Sequence, residues 1–236
     1  EGPTILCLHG FDSCFLEFRR LYPLLKNNHR LIIPDLYGFG FCPRPKGNNY
    51  GLDSIVDHLN AVLDQTCKDN SVSIIGASMG GAVAMELSRR AQKKINKILL
   101  LSPAGLIGKG TKVTWPLNHL GACFLRQSFV RRMLCKQAFA DPVKSVGKAE
   151  EQIASIHLNI NGWSRSLAAF ARNGGVANCA FPLPTQALKI VMGEKDRIIP
   201  KAEKQEVQRL LKKYLISFKD CGHLPHLDSP EAVQNS

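Results

Sequence analysis

The sequence predicts an α/β protein, with a mostly parallel sheet flanked by helices. Three observations carry this. Short apolar runs rich in β-branched residues alternate with stretches of helical character. Runs such as Ile98-Leu99-Leu100-Leu101 are continuously hydrophobic, as strands covered on both faces are. The chain has 236 residues, 44% of them hydrophobic and 21% charged, which suits one domain or one domain with an inserted lid.

Taken in order, strands are expected at Thr4–Leu8, Arg30–Pro34, Val72–Gly76, Ile95–Leu101, Lys189–Met192 and Tyr214–Phe218. Helices are expected over Leu16–Lys26, Leu52–Cys67, Met79–Ala91 and Lys201–Lys213. The region 106–184 breaks this rhythm: it is helical in character and contains no legible strand. It reads as a helical lid inserted into a core made of residues 1–105 and 185–236, with Pro182 and Pro184 marking the return to the sheet.

The formal net charge is +12. From Gly108 to Cys179 there are ten Lys or Arg against three Asp or Glu, so the lid carries seven of those charges. Two readings fit: a solvated helix face, or contact with an anionic bilayer. None of the nucleic-acid signatures is present, so no nucleic-acid partner is expected. No apolar run approaches the roughly 18 residues of a membrane-spanning helix. The eight cysteines contain no Cys-x-x-Cys pair, which predicts free thiols in a reducing, intracellular compartment. Neither the cysteine nor the histidine spacing suggests a metal site, and no cofactor is expected.

The chemistry-bearing motif is Gly76-Ala77-Ser78-Met79-Gly80, placed between an expected strand and an expected helix. A Gly-x-Ser-x-Gly sequence in that setting forms a sharp turn that raises the serine oxygen above the sheet edge. Ser78 is therefore the candidate nucleophile, and a serine hydroxyl needs a base. His223, in Cys221-Gly222-His223 beyond the last strand, is the first candidate, and His226 in the same loop is the rival. His223 is preferred because the preceding glycine lets the backbone turn tightly. Asp196, in Gly193-Glu194-Lys195-Asp196-Arg197, is placed to orient the imidazole, with Glu194 and Asp220 as fallbacks. The order Ser, acid, His agrees. The backbone N–H groups of Met79 and of Phe11, in His9-Gly10-Phe11, are the expected oxyanion donors. His9 is expected to be structural.

These motifs resemble the α/β-hydrolase superfamily over nearly the whole chain. Two stretches are more specific. His9-Gly10-Phe11-Asp12-Ser13, with the run from Leu16 to Leu25, is similar to the chlorophyll dephytylase group of plants and algae. So is Cys221-Gly222-His223-Leu224-Pro225-His226, with Pro230 and Ala232-Val233 after it. Trp163, Phe170 and Gly174-Gly175 extend the similarity loosely into the lid. The chain departs from that group at Ala77, Met79 and Gly81, where the group carries Pro, Leu and Ala. This elbow is shared with other esterases and with carbon–carbon bond hydrolases.

The resemblance implies cleavage of the phytyl ester of chlorophyll in plastid membranes, with an apolar pocket supplied by the lid. It also implies that two strands and a turn before the first strand, and part of the last helix, lie outside this sequence. The strand from Arg30 would then form a sheet edge. A serine at position 78, in place of the aspartate of dehalogenases and epoxide hydrolases of this fold, favours acyl transfer to water. Two alternatives stay open. One is a hydrolase of small esters or of carbon–carbon bonds in diketones, and the other a ligand receptor on the same fold.

Overall fold

The computed structural model describes residues 2–67 and 71–236. Six strands form one sheet: β1 (Thr4–Leu8), β2 (Arg30–Ile32), β3 (Val72–Ala77), β4 (Ile95–Leu101), β5 (Ala187–Gly193) and β6 (Leu215–Phe218). The order across the sheet is β2-β1-β3-β4-β5-β6, and every neighbouring pair is parallel. The helices in chain order are α1 (Tyr22–Leu25), α2 (Leu52–Thr66), α3 (Met79–Arg90), α4 (Leu117–Leu125), α5 (Ser128–Ala138) and α6 (Pro142–Ser145). They are followed by α7 (Lys148–Ile153), α8 (Trp163–Arg172), α9 (Lys201–Leu211), α10 (Pro225–Asp228) and α11 (Pro230–Gln234).

The sheet is covered on both faces because its strands alternate between two cores. Leu6 and Leu8 of β1 join the cluster built with α2, α3 and α9, whereas Ile5 and Cys7 join Phe18, Leu21, Leu25 and Val233 on the opposite face. Helix α2 contributes Ile55, Val56, Leu59 and Leu63, a one-sided stripe of helical spacing. The eight cysteines are free, with Cys7 and Cys221 buried so completely that their thiols are pushed up to about 12.

Strands β1 and β4 have the bounds expected of them. Three differences have local causes. The expected helix Leu16–Lys26 is instead a 3₁₀ turn, Phe15–Phe18, followed by α1. Pro23 has no N–H with which to continue a helix across the junction. Strand β2 ends at Ile32, at the sheet edge and short of Pro34. Tyr214 belongs to a 3₁₀ turn that precedes β6.

Between β4 and β5 the chain leaves the sheet and returns as five helices, α4 to α8, with no strand among the described residues of that stretch. No helix among the described residues is long and apolar enough to cross a membrane.

Candidate active site

The carboxyl ends of the parallel strands open at one edge of the sheet, where open α/β sheets place their ligands. Register aligns them: Leu8 pairs with Gly76, Ala77 with Leu101, Leu101 with Val191 and Gly193 with Phe218. The loops after β1, β3, β5 and β6 therefore meet there, and they carry Phe11, Ser78, Asp196 and His223.

Ser78 sits between β3 and α3 with φ of 51° and ψ of −119°. A non-glycine residue in this region stores on the order of 1–3 kcal/mol of strain. The N–H of Ser78 donates to Leu101 O at 2.9 Å, and its carbonyl accepts from Gly81 at 2.9 Å and Ala104 at 3.0 Å, so the turn is held on three sides. The flanking glycines are required by packing. A Cβ on Gly76 would lie 2.5 Å from Gly80 O, and one on Gly80 would lie 2.2 Å from Leu8 O.

His223 Nε2 lies 2.8 Å from Ser78 Oγ, and His223 Nδ1 lies 2.9 Å from Asp196 Oδ2. All three side chains are buried. The other carboxylate oxygen of Asp196 accepts from the N–H groups of Ile198 (2.7 Å) and Ile199 (3.1 Å). Burial pushes this carboxyl up, but the hydrogen bond and charge of His223, with the two N–H donors, outweigh burial and hold it below the ordinary carboxylate range. The fallback Asp220 is instead on the surface, paired with Lys195 at 2.7 Å.

Gly222 precedes His223 for a reason other than the tight turn expected from the sequence. A Cβ there would meet Ala138 O at 2.6 Å and Ala140 N at 2.7 Å, so the glycine makes room for the end of α5. The same contact fixes the loop, since the N–H of His223 donates to Ala138 O at 2.8 Å. Asp228 reinforces it by accepting from both Gly222 (2.7 Å) and Ala140 (2.9 Å).

His226 has a different environment. It is buried, stacked on Phe18 with ring centroids 5.0 Å apart, and its Nε2 lies 3.3 Å from Glu17 Oε1. Glu17 is buried too, and both its oxygens are 3.1 Å from the N–H of Gly10. Burial raises the Glu17 carboxyl, but the neighbouring His226 and His9 and the Ser13 hydroxyl bring it below its ordinary value. His9 has the structural place expected: Nδ1 donates to Gly10 O at 2.8 Å and Nε2 accepts from Leu36 N–H at 3.0 Å. That pair of bonds specifies the neutral Nδ1–H tautomer, and burial lowers the imidazole's basicity to match.

Sequence reasoning missed Glu17 and Asp12. The Asp12 carboxylate, buried and with φ of 49°, receives Arg131 of α5, His157 Nε2 at 2.9 Å and Trp163 Nε1 of α8 at 2.8 Å. It ties the residue after Phe11 to three parts of the insert. Its local signal in the sequence is that of any loop carboxylate.

The N–H of Phe11 has no protein acceptor among the described residues. Met79 is the first residue of α3, so its N–H is one of the donors a helix cannot satisfy itself. A cleft of about 230 Å³ opens over Ser78 and His223, walled by Phe11, Leu125, Leu134 and Ala138. A second opening, of about 380 Å³, reaches Ser78 from the side of Ile107, Phe170 and Val176.

Comparison with known proteins agrees with this architecture. The chain is 28% identical to 2-hydroxymuconate semialdehyde hydrolase of Pseudomonas sp. (strain CF600) over 241 residues, covering 96% of this chain and 82% of the relative. It is 24% identical to Lipase 3 of Moraxella sp. (strain TA144) over 250 residues, covering 99% and 76%. It is 26% identical to the alpha/beta hydrolase domain-containing protein VTE7 of Arabidopsis thaliana over 241 residues, covering 99% and 72%. This last relative is compatible with the resemblance to a plant group. The crystal structure of the meta-cleavage product hydrolase CumD from Pseudomonas fluorescens IP01 superposes with a TM-score of 0.78 at 23% identity, over 100% of this chain and 89% of that one. A family-wide sequence profile matches residues 5–234. Sheet order, strand register and that match together make the chain a member of the alpha/beta hydrolase family.

Proposed function

We propose that this hydrolase cleaves a carboxylic ester through an acyl-enzyme formed on Ser78. The carrying observation is the unbroken line from Ser78 Oγ through the His223 ring to Asp196, with contacts of 2.8 and 2.9 Å. Ser78 Oγ attacks the ester carbonyl carbon while His223 Nε2 takes its proton, and Asp196 stabilises the imidazolium. The N–H groups of Phe11 and Met79 receive the carbonyl oxygen as it becomes negative, each supplying on the order of 3 kcal/mol at the transition state. Collapse expels the alcohol, which leaves with the proton held on Nε2. Water then attacks the acyl-enzyme, giving its proton to Nε2, and the second collapse returns that proton to Ser78 and frees the acid. The helical insert over the cleft acts as a lid in this reading, and residues 1–105 and 185–236 act as the core that carries the triad.

The cleft supports an apolar acyl or alcohol group. The cation in its inner part, Arg131, is neutralised by Asp12 and is not free to pair with a charged substrate. The motif resemblance points to the phytyl ester of chlorophyll, in a plastid, while the neutral, apolar cleft suits a small uncharged ester equally.

Reaction with a fluorophosphonate followed by mass spectrometry tests the nucleophile. A single adduct on Ser78 is expected, and a folded protein unlabelled at Ser78 overturns the reading. Chlorophyll a in detergent, p-nitrophenyl butyrate and a β-diketone then sort the substrates. Turnover of the short ester without release of chlorophyllide rules out the phytyl ester.

A further inference from the structure

The insert exposes an apolar face that the chemistry at Ser78 does not use. Helix α4 carries no charged residue. Its inward side is Asn118 and Ala122, with the Asn118 amide donating to Ala168 O of α8 at 3.1 Å. Its outward side presents Leu117, Leu120 and Phe124, preceded by Trp115. Phe124 meets Phe129 of α5 edge to face with centroids 6.2 Å apart, and Met133 follows one turn on. These six side chains are between 43% and 77% exposed, far more than scattered surface apolar residues require.

Charge says what the face is for. From 106 to 140 the chain has six Lys or Arg and no Asp or Glu. Arg131 turns inward to Asp12. The other five, Lys109, Lys112, Arg126, Arg132 and Lys136, are exposed, and among the described residues Arg132 alone of these has an acidic partner, Glu151 at 2.9 Å. Cations and apolar anchors share one groove of about 460 Å³, where Arg132, Lys136 and Arg197 surround Phe129 and Met133. Apolar side chains, a Trp among them, within a cationic border match the two layers of an anionic bilayer: acyl chain and headgroup. A second copy fits less well, because in a two-fold pair the same cationic face would meet itself.

We infer that the outward face of α4 and α5 docks the protein on an anionic lipid bilayer. Helix α5 then divides two environments. Phe129, Arg132, Met133 and Lys136 face the bilayer, while Arg131, Leu134, Cys135 and Ala138 wall the cleft over Ser78. The helix stands between the bilayer and the cleft over Ser78. The inference does not depend on what reaction occurs at Ser78.

Flotation with vesicles of phosphatidylcholine, alone or mixed with phosphatidylglycerol, tests this in low and high salt. The wild-type protein is expected to float with the mixed vesicles at low salt and to be released as salt screens the headgroups. L120D/F124D should weaken binding by roughly tenfold or more, since two apolar anchors become charged. R126E/K136E should abolish the preference for phosphatidylglycerol. Fluorophosphonate labelling of Ser78 in all forms, measured in parallel, separates the two readings. Labelling without flotation removes the docking surface alone, and flotation without labelling removes the esterase alone. Absence of wild-type binding at low salt, unchanged binding of L120D/F124D, or a wild-type dimer that L120D/F124D dissociates would each overturn the inference.

Discussion

The indole Nε1 of Trp163 donates to Asp12 Oδ1 at 2.8 Å, across 151 positions of sequence. With Arg131 and His157 on the same carboxylate, this contact links the loop that carries Phe11 to α5 and α8. Burial pushes the Asp12 carboxyl up, but its three donors outweigh burial and hold it below its ordinary value. Asp12→Ala leaves the Arg131 guanidinium buried and unpaired, so a loss of about 3–5 kcal/mol in denaturant unfolding is expected. Trp163→Phe, which removes one donor from an ionised carboxylate, should cost about 1.5–3 kcal/mol. The double variant D12A/R131M should be more stable than D12A, because no charge is then stranded.

Asp196→Asn is expected to lower kcat by about 10⁴-fold with little change in KM, as an amide cannot stabilise the imidazolium or hold its tautomer. The carboxyl of Asp196 lies below its ordinary value, so it stays ionised to lower pH than a free carboxyl does. The acid limb of the wild-type rate is therefore expected to begin above the pH at which Asp196 is protonated. Steady-state kinetics on p-nitrophenyl butyrate between neutral and acid pH checks both statements.

Gly80 and Gly121 should respond oppositely to alanine. At Gly80 a Cβ would press on two backbone carbonyls, Leu8 O at 2.2 Å and His9 O at 2.6 Å, neither of which can step aside. Gly80→Ala is expected to prevent folding or to cost more than about 3 kcal/mol, as severe overpacking does. At Gly121, on the outward side of α4, a Cβ meets nothing within 4 Å among the described residues, and the backbone there is already helical. Gly121→Ala should stabilise by about 0.5–1 kcal/mol. Thermal melts of the two variants read the contrast.

Glu150, at the start of α7, is bonded by Arg19 at 3.2 Å and Arg20 at 2.7 Å, which joins the 3₁₀ turn region to the insert. Burial alone would raise this carboxyl, but the two guanidinium groups and the Gly147 N–H bring it down to about 2. A depressed carboxyl stabilises the fold fully above its unfolded value and loses that contribution as pH falls through the folded one. Glu150→Gln should therefore be less stable than wild type at neutral pH by about 1 kcal/mol, the two converging as pH approaches 2. Added salt should shrink the difference. Urea midpoints at neutral and acid pH report it.

Much of the fold was legible because its strands are buried on both faces. Residues 5–8 and 98–101 are unbroken apolar runs. Ser78 was legible because a strand, a glycine pair and a helix flank it in sequence. His223 and His226 could not be separated by spacing alone. What distinguishes them is their neighbours: Ala138 pins one over Ser78, and Phe18 and Glu17 enclose the other. Asp12 and Glu17 were illegible for the same reason. A carboxylate reads as solvent-facing until the folded chain brings donors onto it. For Asp12 those donors come from 119, 145 and 151 residues away.

The insert leaves the sheet after β4 and returns at β5, and its two ends are bonded to each other: the N–H of Cys179 donates to Gly105 O at 3.1 Å and that of Ala180 to Leu106 O at 2.9 Å. Its two ends are thus side by side, so its length is nearly free of geometric constraint. Exchange of the whole segment for a foreign one would leave Ser78 and Asp196 on their own scaffold while rewriting what can reach them. The graft would have two obligations: to bring a positive charge to Asp12, and to offer the N–H of His223 an acceptor where Ala138 O now stands.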